Sequence, residues 1–148
     1  MLAPMPQLSP FHLAIPVDDL NDARAFYGDL FGCEEGRSAE HWVDFNFMGH
    51  QLVCHLDHRD DEVAELRNAV DSDQVPVPHF GIVLSMQEWE ALAQRLIVGG
   101  AEFIIPPKVR FQGEVGEQAT FFLRDPAGNA LEFKAFADPS RLFARDGD

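Results

Sequence analysis

Two stretches of this chain repeat one grammar, and that repeat limits the possible folds more than any other feature. Phe11-His-Leu-Ala-Ile-Pro-Val17 alternates as a strand, with Phe11, Leu13 and Ile15 on one face and His12 and Ala14 on the other. Asp18 or Asp19 can cap a following helix whose apolar stripe is Leu20, Ala23, Phe26, Tyr27 and Leu30, with Gly32 as its stop. A polar connection from Glu34 to Glu40 leads to a strand over Trp42–Met48, a turn at Gly49-His50 and a return strand over Gln51–Leu56.

The second half restates this order. Val75–Leu84 reads as a strand carrying His79, with Pro76 and Pro78 confining its start to an edge or an irregular entry. Ser85 and Glu88 have capping-box spacing, and Trp89, Leu92, Ala93 and Leu96 form the stripe of a helix ending at Gly99-Gly100. A short strand is expected at Glu102–Ile105 and a loop or hairpin over 106–118. A hairpin over Ala119–Phe136 then folds about Asp125-Pro-Ala-Gly-Asn129. The expected class is α+β: two βαβββ modules forming a cupped mixed β-sheet with flanking helices, since each half-cup needs a partner to bury its face.

The expected domain covers residues 9–138. Module one is about 9–58 and module two about 75–138, with an acidic linker at 59–74 and a tail at 139–148. Glu62–Val70 has enough periodicity for a short helix, and Pro4, Pro6 and Pro10 predict an extended arm. With 148 residues and 46% of them hydrophobic, the chain can bury a core. A net charge of −14 argues against nucleic-acid and anionic-membrane partners, which need a basic face. No apolar run approaches the roughly 20 residues of a membrane span. The first ten residues lack a basic region followed by an apolar stretch, so a cytoplasmic location is expected. Cys33 and Cys54 make no disulfide framework and read as small apolar residues.

Several pieces together resemble the vicinal oxygen chelate superfamily of glyoxalase I, extradiol dioxygenases, and bleomycin- and fosfomycin-resistance proteins. They are Phe11–Val17 with Ala23–Gly32, Pro78-His-Phe-Gly-Ile-Val83, and Phe122-Leu-Arg-Asp-Pro-Ala-Gly-Asn-Ala-Leu-Glu-Phe133. The resemblance implies a divalent metal in the cup, held by His12, His79 and Glu132, and a homodimer acting on a small-molecule substrate. Two imidazoles and a carboxylate leave open positions for a bidentate substrate, and for O₂ where the metal is iron. Fe(II) is the first expectation; Zn(II), Ni(II) and Mn(II) suit the same donors.

Aligning Gly49 with Gly128 puts Val53 where Glu132 stands, so the second glutamate of the glyoxalases is missing and the three-ligand set of the extradiol enzymes is matched. Those enzymes carry a Tyr on the strand before the Asp-Pro turn, where this chain has Phe121 and Phe122. His55, on the same face as Val53, is a candidate for proton transfer, with a fourth ligand and a buried bystander as the other readings. Arg110 and Lys134 are candidates for holding substrate, and Glu117 is a further polar residue near the mouth; a solvated loop position is the plainer reading of Arg110. His41, His50 and His58 read as solvated. Three functions stay open: an oxidoreductase resembling extradiol dioxygenases, a glyoxalase-like isomerase or lyase, and a metal-free binding protein of the bleomycin-resistance kind.

Overall fold

The computed structural model describes residues 8–57, 66–70 and 72–145. Strand β1, His12–Val17, leads to helix α1, Leu20–Ala23, which runs directly into a π-helical segment, Arg24–Leu30. Asp19 caps α1 by accepting the N–H of Asp22 at 3.0 Å. Strands β2, Glu34–Ala39, β3, Trp42–Phe47, and β4, His50–Leu56, complete the first half. The first sheet has the order β1-β4-β3-β2, with β1 parallel to β4 and the other pairs antiparallel.

In the second half, α2, Met86–Val98, begins in the expected capping box of Ser85 and Glu88. Strands β7, Phe103–Arg110, β8, Gln118–Arg124, and β9, Ala130–Phe136, form an antiparallel sheet. The segment preceding α2 joins β9 in parallel only through bridges at Phe80↔Leu131 and Val83↔Lys134. Counting that segment, the order matches the first sheet: a parallel opening segment beside the last strand, then the two inner strands outward. The α+β class and the paired βαβββ pattern are thus present.

The strand expected over Val75–Leu84 is not continuous, since strand structure ends at Val77 and the residues after it meet β9 at isolated bridges. Three further expectations need correction. Glu34–Ala39 is a strand, β2, although every one of its residues is exposed and nothing alternates. Leu66–Val70 is a strand, β5, in place of the short helix; it pairs with β6, Asp73–Val77, in an antiparallel hairpin. The third concerns 106–110, which continues β7 through Pro106 and Pro107; an edge strand accepts them because its outer N–H groups pair with nothing. The start of the Pro-rich arm, His58 and the first part of the acidic linker lie outside the described residues.

One apolar core joins the two sheets. It takes Ile15, Val17, Tyr27, Phe45, Phe47 and Leu52 from the first half and Trp89, Leu96, Phe121, Leu131 and Phe133 from the second. Phe47 lies 5.9 Å from both Phe80 and Phe133, and Phe31 lies 5.4 Å from Phe133. Polar ties reinforce the seam. The Tyr27 hydroxyl donates to buried Asp125 at 2.8 Å, and Asn129 Nδ2 donates to the Pro16 carbonyl at 2.8 Å. Arg95 Nε, from α2, donates to the Leu30 carbonyl at 2.7 Å at the end of the first helical segment. Because both sheets turn their apolar faces inward to this shared core, their polar faces look away from it.

Candidate metal centre

Strand β9 sends Leu131, Phe133 and Ala135 into the core, so Glu132 and Lys134 fall on the outer face of the second sheet. His79 is set against Glu132 by the backbone around it. The Phe80 N–H donates to the Ala130 carbonyl at 3.2 Å, and the Phe80 carbonyl accepts the Glu132 N–H at 2.8 Å. His79 Nε2 then lies 3.3 Å from Glu132 Oε1. On the far side of the ring, Nδ1 is 2.7 Å from the Pro76 carbonyl. A carbonyl only accepts, so Nδ1 carries a proton; Nε2 donates to Glu132 when the ring is protonated and offers its lone pair when it is neutral. Phe122 stands edge-on to the imidazole at 4.9 Å between ring centres.

Glu132 is supported in turn. The Thr120 hydroxyl donates to Oε2, and Lys134 Nζ lies 3.7 Å from Oε1. Burial pushes this carboxyl up, but the hydrogen bonds from His79 and Thr120 and the charge of Lys134 outweigh it, so its pKa is lowered. The hydrogen bond to Glu132 is the main reason that of His79 is raised. An imidazole and a carboxylate that face each other, each held from behind, are donor types that a divalent metal takes.

His12 has the same build on the first sheet. Its Nδ1 is 2.8 Å from Gln51 Oε1, and Gln51 Nε2 lies 3.2 Å from Asp44 Oδ2. The carboxylate fixes which way the amide points, the amide oxygen accepts a hydrogen bond from Nδ1–H, and Nε2 is left without that proton. His50, expected to be solvated, is half-buried and its Nδ1 accepts the Phe11 N–H at 2.8 Å, which steadies the residue before His12. His12 nevertheless stays on the outer face of its own sheet. Among the described residues of one chain, no three His, Cys, Asp or Glu side chains gather closely enough to hold a metal. One chain therefore brings His79 and Glu132 together and leaves His12 apart.

The remaining candidates occupy distinct places. In register, Leu13↔Leu52 corresponds to Phe80↔Leu131, so His12 matches His79, Val53 matches Glu132 and His55 matches Lys134. His55 is exposed on β4 opposite Trp42. Arg110 is not a solvated loop residue: it ends β7, is 2% exposed, and donates to the Val70 carbonyl of the hairpin. Glu117 accepts the Gly113 N–H at 2.9 Å and shapes a turn. Cys33 and Cys54 are free thiols, pushed up by burial to about 11 and about 12. Gln51, Asp44 and Thr120 escape a sequence reading that looks for ligands alone. Their signal is positional: Gln51 pairs with His12, and Thr120 lies diagonally across from Glu132 on the same face.

The sequence profile of the Glyoxalase/Bleomycin resistance protein/Dioxygenase superfamily matches residues 9–133. The chain belongs to this superfamily. A solved glyoxalase/bleomycin resistance protein/dioxygenase from Alicyclobacillus acidocaldarius is 34% identical, with 91% of this chain and 96% of that one covered and a TM-score of 0.77. The fosfomycin resistance protein FosX from Listeria monocytogenes is 22% identical over 93% of this chain and 99% of its own, with a TM-score of 0.65. A lactoylglutathione lyase from Agrobacterium tumefaciens is 21% identical over 95% and 100%, with a TM-score of 0.63. The last two show the fold alone. A comparison with the curated proteins gives no match. Superfamily members bind small molecules, commonly use divalent metals and often form dimers. No helix among the described residues is long and apolar enough to cross a membrane.

Proposed function

We propose that this protein is a metal-dependent enzyme that binds a small substrate through two adjacent oxygens, its metal held by His79 and Glu132 of one chain and His12 of a second copy. The observation that carries the reading is the His79–Glu132 pair, with Nε2 facing the carboxylate and both groups braced from behind. His12 supplies a third donor of the same construction but on a face that looks away from the shared core, which is why the site is completed between two copies forming a homodimer. Phe11 and Val83, 66% and 45% exposed, flank the open edges where such copies would meet.

Two imidazoles and one carboxylate suit Fe(II), and also Zn(II), Ni(II) or Mn(II). A divalent metal there supplies Lewis acidity and a template for two substrate oxygens. The chain's own groups do the rest. Lys134, beside Glu132, neutralises charge on the substrate side, and His55 of the facing sheet accepts or returns a proton. The three-ligand set favours oxygen-dependent cleavage of a diol-like substrate, as in extradiol dioxygenases. A non-oxidative isomerase or lyase is the second reading, favoured by Phe122: it meets His79 with a phenyl edge and offers no hydroxyl for oxygen chemistry.

Metal analysis of tag-free protein, followed by oxygen-uptake assays on vicinal diols, tests the reading. Near-stoichiometric iron with oxygen consumption is the expected result. Zinc or nickel, with substrate proton exchange and no oxygen uptake, moves the assignment to the isomerase or lyase. Wild-type protein that binds no metal at any concentration overturns the proposal and leaves a metal-free binding protein.

A further inference from the structure

A chain of net charge −14 has only two lysines, and both lie on one face. Lys108 pairs with Thr120, and Thr120 with Lys134, so the two lysines share the outer face of the second sheet with Glu132. Arg110, paired with Gln118, adds a third cation to that face. At about 3.3 Å per residue along β8, the Lys108 row is roughly 7 Å and the Arg110 row roughly 13 Å from the Glu132 row.

These cations are covered from outside by one carboxylate. Asp73, from the β5–β6 hairpin, places Oδ2 2.9 Å from Lys108 Nζ and 3.0 Å from Arg110 Nη2. The fit is incomplete. Arg110 is 2% exposed, yet its Nε has no partner, its Nη2 lies off the line a hydrogen bond needs, and the neighbouring Gln118 Oε1 is also unpartnered. Each such buried orphan costs on the order of 1–3 kcal/mol. A purely structural ion pair gains nothing from them, whereas a ligand bringing an oxyanion and a hydroxyl would satisfy all three atoms. The hairpin hydrogen-bonds as a two-stranded sheet of its own; besides Asp73 it is held by the small cluster of Val75 with Ile105 and Phe122, the Val70 carbonyl on Arg110 and the Pro76 carbonyl on His79.

We propose that Lys108 and Arg110 form an anion subsite for a substrate carrying a carboxylate, phosphonate or phosphate group, and that Asp73 is an internal placeholder which the substrate's anion displaces, loosening the hairpin at its Asp73 end while Pro76 stays on His79. This deepens the proposed function, resting on it only for where the substrate's vicinal oxygens sit. The test uses EDTA-treated protein and inorganic phosphate at constant ionic strength, so a failed metal reading leaves it intact. Binding is followed by calorimetry and the hairpin by deuterium exchange of residues 66–77. Asp73→Asn is expected to bind phosphate at least tenfold tighter than wild type, Lys108→Gln at least tenfold weaker, and phosphate is expected to speed exchange in the hairpin. Absence of saturable binding, an Asp73→Asn variant no tighter than wild type, or a Lys108→Gln variant unchanged overturns the proposal. So does an exchange rate in 66–77 that phosphate does not alter.

Discussion

In the first half, β1 lays six residues against β4 in unbroken parallel register; in the second, the matching segment forms only isolated bridges to β9, at Phe80 and Val83. The residues between those bridges explain the difference. Ala14 faces Val53 across a regular ladder, and its counterpart Gly81 faces Glu132 so closely that an added Cβ would sit 1.5 Å from the Glu132 carbonyl oxygen. The regular ladder carries one histidine and an apolar partner. The irregular one bends His79 onto a carboxylate, and the hairpin capped by Asp73 sits on the same sheet. One fold plan, used twice, thus gives a half that contributes a single donor and a half that carries most of the chemistry. Fold repetition and site asymmetry are separable, because outer-face residues can change while the core-facing set stays apolar.

The largest expected effect is on metal. Glu132→Ala and His12→Ala should each lower metal affinity by more than about 100-fold in equilibrium dialysis, although the two residues lie on different sheets. Equal loss from both would tie the halves into one site; loss from Glu132→Ala alone would restrict the site to the second half.

Gly81→Ala sharpens the contrast in backbone approach. The clash with β9 should cost about 2–4 kcal/mol in denaturant unfolding, whereas Ala14→Gly at the matching position should cost under about 1 kcal/mol. Similar costs at both positions would deny that the second half depends on the close approach.

Bracing residues come next. Gln51→Leu and Thr120→Val should weaken metal binding by roughly 10–100-fold while leaving the far-ultraviolet circular dichroism unchanged. An effect confined to Thr120→Val would show that His12 needs no orientation from Gln51.

The smallest effect is on pH. His79 has a raised pKa, so its contribution is full below its ordinary 6.5 and fades as pH rises through the raised value. Glu132 has a lowered pKa, so its contribution is full above 4.5 and fades as pH falls through the lowered value. In metal-free protein, the Tm difference between wild type and Glu132→Gln should therefore be greatest between 4.5 and 6.5 and shrink above it. For partly exposed groups the span should stay under about 1 kcal/mol. A difference that grows above pH 8 contradicts the pairing.

The repeat and the positions of His12, His79 and Glu132 were legible because alternation and Gly-centred turns are local properties of the chain. Strand β2 was not, since all its residues are exposed and only pairing with β3 makes it a strand. The β5–β6 hairpin hid for a related reason: Pro76 and the acidic run read as linker, and its order comes from contacts such as Asp73 with Lys108 that are remote in sequence. Arg110 looked solvated because proline-interrupted sequence suggested a loop. The separation of His12 from the other two donors also depends on which faces the shared core consumes, and no pattern within either half encodes that.

The most direct test of a site shared between copies mixes two inactive chains. Differently tagged His12→Ala and Glu132→Ala proteins are co-expressed, the heterodimer is purified through both tags, and its metal is counted. In a shared site one cup of the heterodimer loses both altered donors and the other keeps His12, His79 and Glu132 intact. One metal per heterodimer, with neither homodimer binding any, is the result predicted here. A heterodimer as empty as its parents would contradict it.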